Sequence, residues 1–188
     1  MREYFRHVAK EVFEKASKIK LLVTDVDGVL TDGGVIYDDH KTEFKRFQVK
    51  DGQIVQFLKA HDIKIGVITG RNSVVVKNRC EELKFDFHFH GVKEKSLVFL
   101  SQVKALGLTL EECAYIGDDI IDLPILKNVG FSACPDDAIP YVKDKVDYVS
   151  FYKGGEGVFR EVADIILESQ GKLESVVHNL ASQKLQNP

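Results

Sequence analysis

From residue 51 onward the chain alternates strictly between short apolar runs and stretches with helical spacing, and this limits its fold more than any other feature. The runs are IKIGVIT (63–69), FDFHF (85–89), ECAYIG (112–117), GFSA (130–133) and VDYVS (146–150). An earlier run, IKLLVT (19–24), ends at Asp25. The spacing predicts helices from Asp51, over 72–83, from Val92 to about Leu106, around Pro124, over 137–142 and over 156–169. Strands separated by helices cross over and pair in parallel, and apolar runs of this kind need cover on both faces. The expected fold class is α/β, a doubly wound parallel sheet.

Three segments fall outside the alternation. Apolar positions Phe5, Val8, Val12, Phe13 and Ala16 recur at helical spacing, so an N-terminal helix is expected within 1–18. Residues 33–49 read as a protruding β-hairpin turning at Asp38-Asp39-His40-Lys41. Its exposed apolar side chains need a partner surface, which predicts self-association. Residues 171–188 read as a loosely ordered tail. No linker, repeat or low-complexity tract divides the 188 residues, so one domain, 1–188, is expected.

Composition removes whole classes of function. With 26 basic and 29 acidic residues the chain has no electrostatic footprint for nucleic acid or an anionic membrane. Lys41, Lys45, Arg46 and Lys50 read as a solvated hairpin face. No apolar run is long enough to span a membrane, and MREYFRHVAKEVFEKASK lacks the apolar stretch of a signal peptide. Cys80, Cys113 and Cys134 are odd in number and show no CxxC spacing, which fits inert core residues in a reducing, cytoplasmic setting. His88 and His90, two apart on a strand, suit a metal in principle. The sequence offers no third ligand, so packing or solvent contact at the strand end is expected.

In a parallel sheet, ligands bind beyond the carboxyl ends of the strands. Those ends carry Asp25-Val-Asp27-Gly28, Thr69-Gly70-Arg71, Lys95 in the loop after 85–89, and Gly117-Asp118-Asp119-x-x-Asp122. Asp25 and Asp27, two apart in extended chain, project to one side. With Asp118 nearby, three carboxylates crowd one spot and repel unless a cation neutralises them. An oxygen-only donor set of this kind suits Mg²⁺. A carboxylate is ionised at neutral pH without a general base, so Asp25 is a sensible nucleophile toward phosphorus. Thr69 would hold the transferring oxygens, Lys95 would neutralise nucleophile and phosphate, and Asp27 would move the leaving-group proton.

These segments, with LLVTDVDGVLTDG, FQVKDG, VITGR, AYIGDDIIDLPIL and GVFREVADIILESQGKL, resemble the haloacid dehalogenase superfamily over about residues 19–173. More narrowly they resemble its cap-less branch of phosphatases acting on 3-deoxy-D-manno-octulosonate (KDO) 8-phosphate. The resemblance implies a Rossmann-like core without a cap domain and an aspartyl-phosphate formed at Asp25. It implies Mg²⁺ held by Asp25, the Asp27 carbonyl and Asp118, with Asp119 and Asp122 behind them. It implies a phosphorylated sugar acid as substrate, faced by Asp27, Gln48, Val49, Lys50, Asp51, Gly52, Gln56, Gly70, Arg71, Arg79 and Lys95. It further implies a cytoplasmic homotetramer in lipopolysaccharide biosynthesis, in which a neighbour's hairpin and tail close each site. Gly154-Gly155-Glu156-Gly157 would contribute to that closure.

Gln48, Lys50, Gln56 and Glu156 stand where the resemblance leads one to expect Asn, Arg, Arg and Arg. Fewer cations near a substrate carboxylate shift specificity, so a nine-carbon sugar-acid 9-phosphate is the alternative substrate. A second alternative is a non-catalytic module that regulates a partner enzyme. Against it, Asp25, Asp27, Thr69, Lys95 and Asp118 are all present. A phosphoacceptor signalling domain fits poorly, because the DxD follows the first strand and the GDDxxD a later one. A nucleotide-dependent enzyme is unsupported, since neither GxxxxGK[ST] nor GxGxxG occurs.

Overall fold

The structure is a computed structural model that describes residues 2–182. Six parallel strands form one sheet: β1 (Leu21–Thr24), β4 (Lys64–Ile68), β5 (Phe87–Phe89), β6 (Cys113–Ile116), β7 (Phe131–Cys134) and β8 (Tyr148–Val149). Their order is β5-β4-β1-β6-β7-β8. From β1 the chain builds outward on one side through β4 and β5, then returns to the other side with β6. The direction therefore reverses at β1 and β6, where Leu21 pairs with Cys113 and Thr24 with Ile116. A crevice opens beyond the carboxyl ends of adjacent strands at such a reversal.

Alternation along each strand sorts the core into two layers. Leu22, Ile65, Val67, Ala114 and Phe131 face one side, and Leu21, Val23, Ile68 and Tyr115 the other. The first layer is covered by α1 (Lys10–Ala16), α2 (Val49–Ala60), α3 (Val74–Leu83) and α7 (Val158–Ser169). The second lies under α4 (Lys95–Ala105), α5 (Leu123–Leu126) and α6 (Pro140–Lys143). The doubly wound α/β expectation is met. A separate antiparallel pair, β2 (Ile36–Tyr37) and β3 (Glu43–Phe44), is the expected hairpin. Among the described residues no cap domain interrupts the fold, and no helix is long and apolar enough to cross a membrane.

Three element boundaries differ from the sequence expectation. The N-terminal helix is two pieces, a 3-10 turn at Arg2–Phe5 and α1. The break folds Phe5 back onto Phe13, ring centroids 6.3 Å apart, where a continuous helix would hold them about two turns apart. α2 begins at Val49 rather than Asp51, because the Gln48 side chain accepts the Lys50 N–H and caps the helix. The tail contains a helix, α8 (Leu173–Ala181), whose Leu173 and Val176, one turn apart, are buried. The rest of the tail expectation, residues 183–188, lies outside the described residues.

Candidate active site

Parallel pairing brings the ends of β1, β4 and β6 to one edge of the sheet, and the polar residues identified in the sequence follow those ends. Asp25, directly after β1, is buried (5 % exposed), and its N–H donates to the Ile116 carbonyl at 2.9 Å. Lys95 opens α4 and is 3 % exposed. Its Nζ lies 2.9 Å from Asp25 Oδ2 and 2.9 Å from Asp122 Oδ1. Burial works against the Lys95 charge, but the attraction of Asp25 and Asp122 outweighs it and holds its pKa above the ordinary value.

Asp122 is fully enclosed, and every direction around its carboxylate is taken. Oδ1 accepts from Lys95 and from the Tyr115 hydroxyl at 2.8 Å, and Oδ2 accepts the Asp118 and Asp119 N–H groups at 3.3 and 3.4 Å. Asp119 caps the following 3-10 turn by accepting the Ile120 N–H. Oxygens of Asp25, Asp118 and Asp122 lie within 4.8 Å of one another. Gly28 permits this approach. At φ +86 it turns the chain past the Asp118 carboxylate, where a Cβ would stand 2.1 Å from Oδ2.

The electrostatics of the cluster follow. Burial, and then repulsion from Asp122, push Asp25 up to about 7 against the pull of Lys95. Burial, followed by Asp25 and Asp122, pushes Asp118 up to about 7. Asp25 Oδ1 is buried and accepts no hydrogen bond from the described residues. Hard oxygen donors, one of them an orphan, in a site short of positive charge are the setting that a divalent cation satisfies.

Asp27 faces the root of the hairpin. Its Oδ1 takes the Lys45 ammonium, and its Oδ2 lies 3.7 Å from Arg71 Nε. Arg71 also donates to the Tyr37 hydroxyl at 3.0 Å and to Glu43 Oε1 at 3.1 Å, while the Ser73 hydroxyl donates to the other Glu43 oxygen. The reading of Lys45 as a solvated residue is corrected, since its side chain is 0 % exposed. Alternation along 42–47 turns Glu43, Lys45 and Phe47 inward and Phe44 and Arg46 outward, a signal present in the sequence. Thr69 is buried at the end of β4 and Gly70 follows it at the surface.

The other expected substrate contacts lie along α2, α3 and the loops beside them. Gln48 and Val49 line an open groove with Arg46, Tyr152, Gly155 and Glu156, and Lys50 lines a neighbouring one with Glu156 and Arg160. Gln56 is exposed on α2, where its amide donates to Gln53. Arg79 pairs with Glu82 at 2.8 Å, lies over the Phe47 ring and packs against Gly52. Asp51 points into the core-side seam, accepting the Arg160 N–H at 2.8 Å. Gly154 and Gly155 serve this chain's own loop after β1: a Cβ on Gly154 would stand 2.1 Å from the Gly28 carbonyl, and the Gly155 N–H donates to Val29 at 2.9 Å.

Comparison with known proteins places this geometry. The profile of the haloacid dehalogenase-like hydrolases matches residues 40–130. The 3-deoxy-D-manno-octulosonate 8-phosphate phosphatase KdsC of Haemophilus influenzae is 43% identical over 159 residues, 85% of this chain and 88% of that one. The KdsC of Escherichia coli K12 is 39% identical over 167 residues, 89% of each chain. The crystal structure of the Moraxella catarrhalis phosphatase of the same name, in complex with magnesium ion, phosphate ion and KDO, superposes with a TM-score of 0.88 at 37% identity. It covers 90% of this chain and 98% of that one. The chain belongs to the haloacid dehalogenase-like hydrolases and, within them, to the group of the KdsC phosphatases.

Proposed function

We propose that the chain is a Mg²⁺-dependent phosphatase that hydrolyses KDO 8-phosphate to KDO and phosphate. The observation that carries this reading is the Asp25–Lys95 pair at the sheet's switch point, with Asp25 Oδ1 free and Asp118 alongside. KdsC relatives at 39–43% identity, and a neighbour solved with magnesium, phosphate and KDO, support the substrate and the metal.

The Asp25 carboxylate attacks phosphorus through one of its oxygens, the bond from phosphorus to the sugar oxygen breaks, and Asp27 gives that oxygen its proton. Water then attacks the phosphorus of the acyl phosphate, returns a proton to Asp27, and frees phosphate and Asp25. Lys95 holds the nucleophile in place and offsets charge on the phosphoryl oxygens. Thr69, with the chain at Gly70, borders those oxygens. Arg71 and Lys45, paired with Asp27 in the substrate-free site, are the cations an incoming anion would draw onto itself. The Asp25 and Asp118 carboxylates and the Asp27 carbonyl would hold Mg²⁺, which when bound would supply positive charge that lowers the repulsion between carboxylate and phosphate. Asp122 and Asp119 act through their neighbours: Asp122 fixes Lys95, and Asp119 shapes the turn that presents Asp118.

The groove bordered by Gln48, Val49, Lys50 and Glu156 would take the sugar-acid end, with Gly52, Gln56 and Arg79 on the helices behind it. The working unit is the chain as one domain. Val35, Ile36, Tyr37 and Phe44 expose about half their surface on the hairpin, which supports a homotetramer in which hairpins meet neighbouring subunits. A cytoplasmic place in lipopolysaccharide synthesis accompanies this activity. Phosphate release from a panel of sugar phosphates, with Mg²⁺ and then with chelator, tests the reading. Metal-dependent release that favours KDO 8-phosphate is expected. Preference for a nine-carbon acid 9-phosphate, or no release at all by folded protein, would overturn it.

A further inference from the structure

Away from the acidic site, three other ligand-type side chains converge. His88 lies on β5 and His90 two residues further on, so both side chains point to the same face. Phe87 and Phe89 point to the opposite face and join the core beneath α4. The face that receives the histidines is covered by α3, and α3 buries Cys80 there (2 % exposed). Cys80 Sγ and one ring nitrogen from each histidine lie within 4.8 Å of one another. The third ligand that the sequence withheld is eight residues upstream of His88, on a different element.

Packing alone does not account for this cluster. His88 Nδ1 and His90 Nε2 are 2.8 Å apart, a hydrogen bond in which one ring donates to the other. That contact leaves His90 Nδ1 buried without a hydrogen-bond partner among the described residues, and it makes no use of the sulfur. Around a tetrahedral Zn²⁺, bonds of about 2.3 Å to sulfur and about 2.0–2.1 Å to nitrogen put ligand atoms roughly 3.3–3.8 Å apart. The hydrogen-bonded nitrogens would need to separate by about half an ångström, and a sulfur already within 4.8 Å of its partners to shift by no more than about 1–1.5 Å.

We propose that Cys80, His88 and His90 form a binding site for a borderline-soft divalent metal ion of the Zn²⁺ type, which ties α3 to the sheet edge. A thiolate with two imidazoles favours Zn²⁺ over Mg²⁺, and the oxygen cluster at Asp25 and Asp118 has the reverse preference. The two sites therefore sort metals by donor atom. β5 is an edge strand only three residues long, so it has few ladder bonds to hold it and gains from a cross-link. On binding, the Cys80 S–H proton leaves to solvent and the sulfur electron pair forms the metal bond. The histidines bind as neutral rings and give up their mutual hydrogen bond. Both are half-buried, which leaves a coordination position toward solvent. The site does not depend on the phosphatase reading.

The test titrates Co²⁺ as probe into the full-length protein in excess Mg²⁺, following the sulfur-to-cobalt charge-transfer absorption. The band is expected to saturate at one equivalent, to disappear on adding Zn²⁺, to be absent in Cys80→Ser, and to persist in Cys113→Ser and Asp118→Asn. His88→Gln, which keeps the thiol and the core volume around it, is expected to weaken Co²⁺ binding by at least about tenfold. It keeps the test decisive if Cys80→Ser does not fold. No band in the folded wild-type protein, an undiminished band in Cys80→Ser, or unchanged affinity in His88→Gln would overturn the proposal.

Discussion

Lys95 and Asp25 form an ion pair of 2.9 Å almost sealed from solvent, their side chains 2 % and 7 % exposed. The same ammonium bonds Asp122, so one cation joins the end of β1 to the turn after β6. Removing it leaves three crowded carboxylates uncompensated. Lys95→Ala is expected to lower kcat by about 10²–10³-fold and to cost about 3–5 kcal/mol of stability without Mg²⁺. Steady-state kinetics and urea unfolding check the two effects, and added Mg²⁺ should restore stability far more than turnover.

Lys45 and Arg46 are neighbours on the hairpin with opposite fates, one sealed against Asp27 and the other 69% exposed in its side chain. Lys45→Met is expected to reduce kcat/KM by about 10–10²-fold, since it leaves Asp27 without its nearest cation. Arg46→Met should leave kcat within about twofold of wild type, any effect falling on KM through the groove that Arg46 lines. Equal effects from both would show that hairpin charge acts only at long range.

Asp51 makes a pH-dependent contribution away from the reacting groups. Burial pushes its carboxyl from 3.8 up to about 6, against the Arg160 N–H and the charges of Arg160 and Arg79. Below 3.8 the folded and unfolded states both hold the proton and nothing is lost. Between 3.8 and about 6 the folded state binds the proton more tightly, so stability falls as pH rises, and the loss is complete above that window. The loss is on the order of 2–3 kcal/mol. Asp51→Asn keeps an acceptor for the Arg160 N–H and removes the charge. Its stability relative to wild type should therefore climb from about pH 4 to about pH 7, as read by denaturant unfolding. A flat difference would contradict the assignment.

Leu173 is 3 % exposed and anchors α8 in the core layer that holds α7. Leu173→Ala is expected to cost about 2–4 kcal/mol. Urea unfolding distinguishes this from a loose tail, for which the change would be within about 0.5 kcal/mol.

Much of this arrangement was legible in the sequence because the physics behind it is local or periodic. Six apolar runs separated by helical stretches sufficed for the doubly wound sheet, and the rule of strand ends gathered Asp25, Thr69, Lys95, Asp118 and Asp122 at one edge. What escaped depends on which face a side chain meets. Lys45 was in phase with Glu43 and Phe47, but only the hairpin's tilt toward Asp27 seals it from water. Cys80 and His88 are brought together by α3 packing on β5, a contact no spacing announces. Arg79 and Asp51, both expected to face substrate, are turned by α3 and α2 toward Gly52, Phe47 and the start of α7, which is set by packing rather than spacing. The break after Phe5 and the helix after Lys172 reflect tertiary burial of single apolar residues, which overrides local composition.

The role proposed for Asp25 is that of nucleophile in a metal-dependent phosphatase. It is tested most directly by phosphate release from KDO 8-phosphate in Mg²⁺, comparing wild type with Asp25→Asn after circular dichroism shows both folded. Turnover by wild type that chelator abolishes is expected, with a loss of at least about 10³-fold in Asp25→Asn. Substantial turnover by folded Asp25→Asn would contradict it.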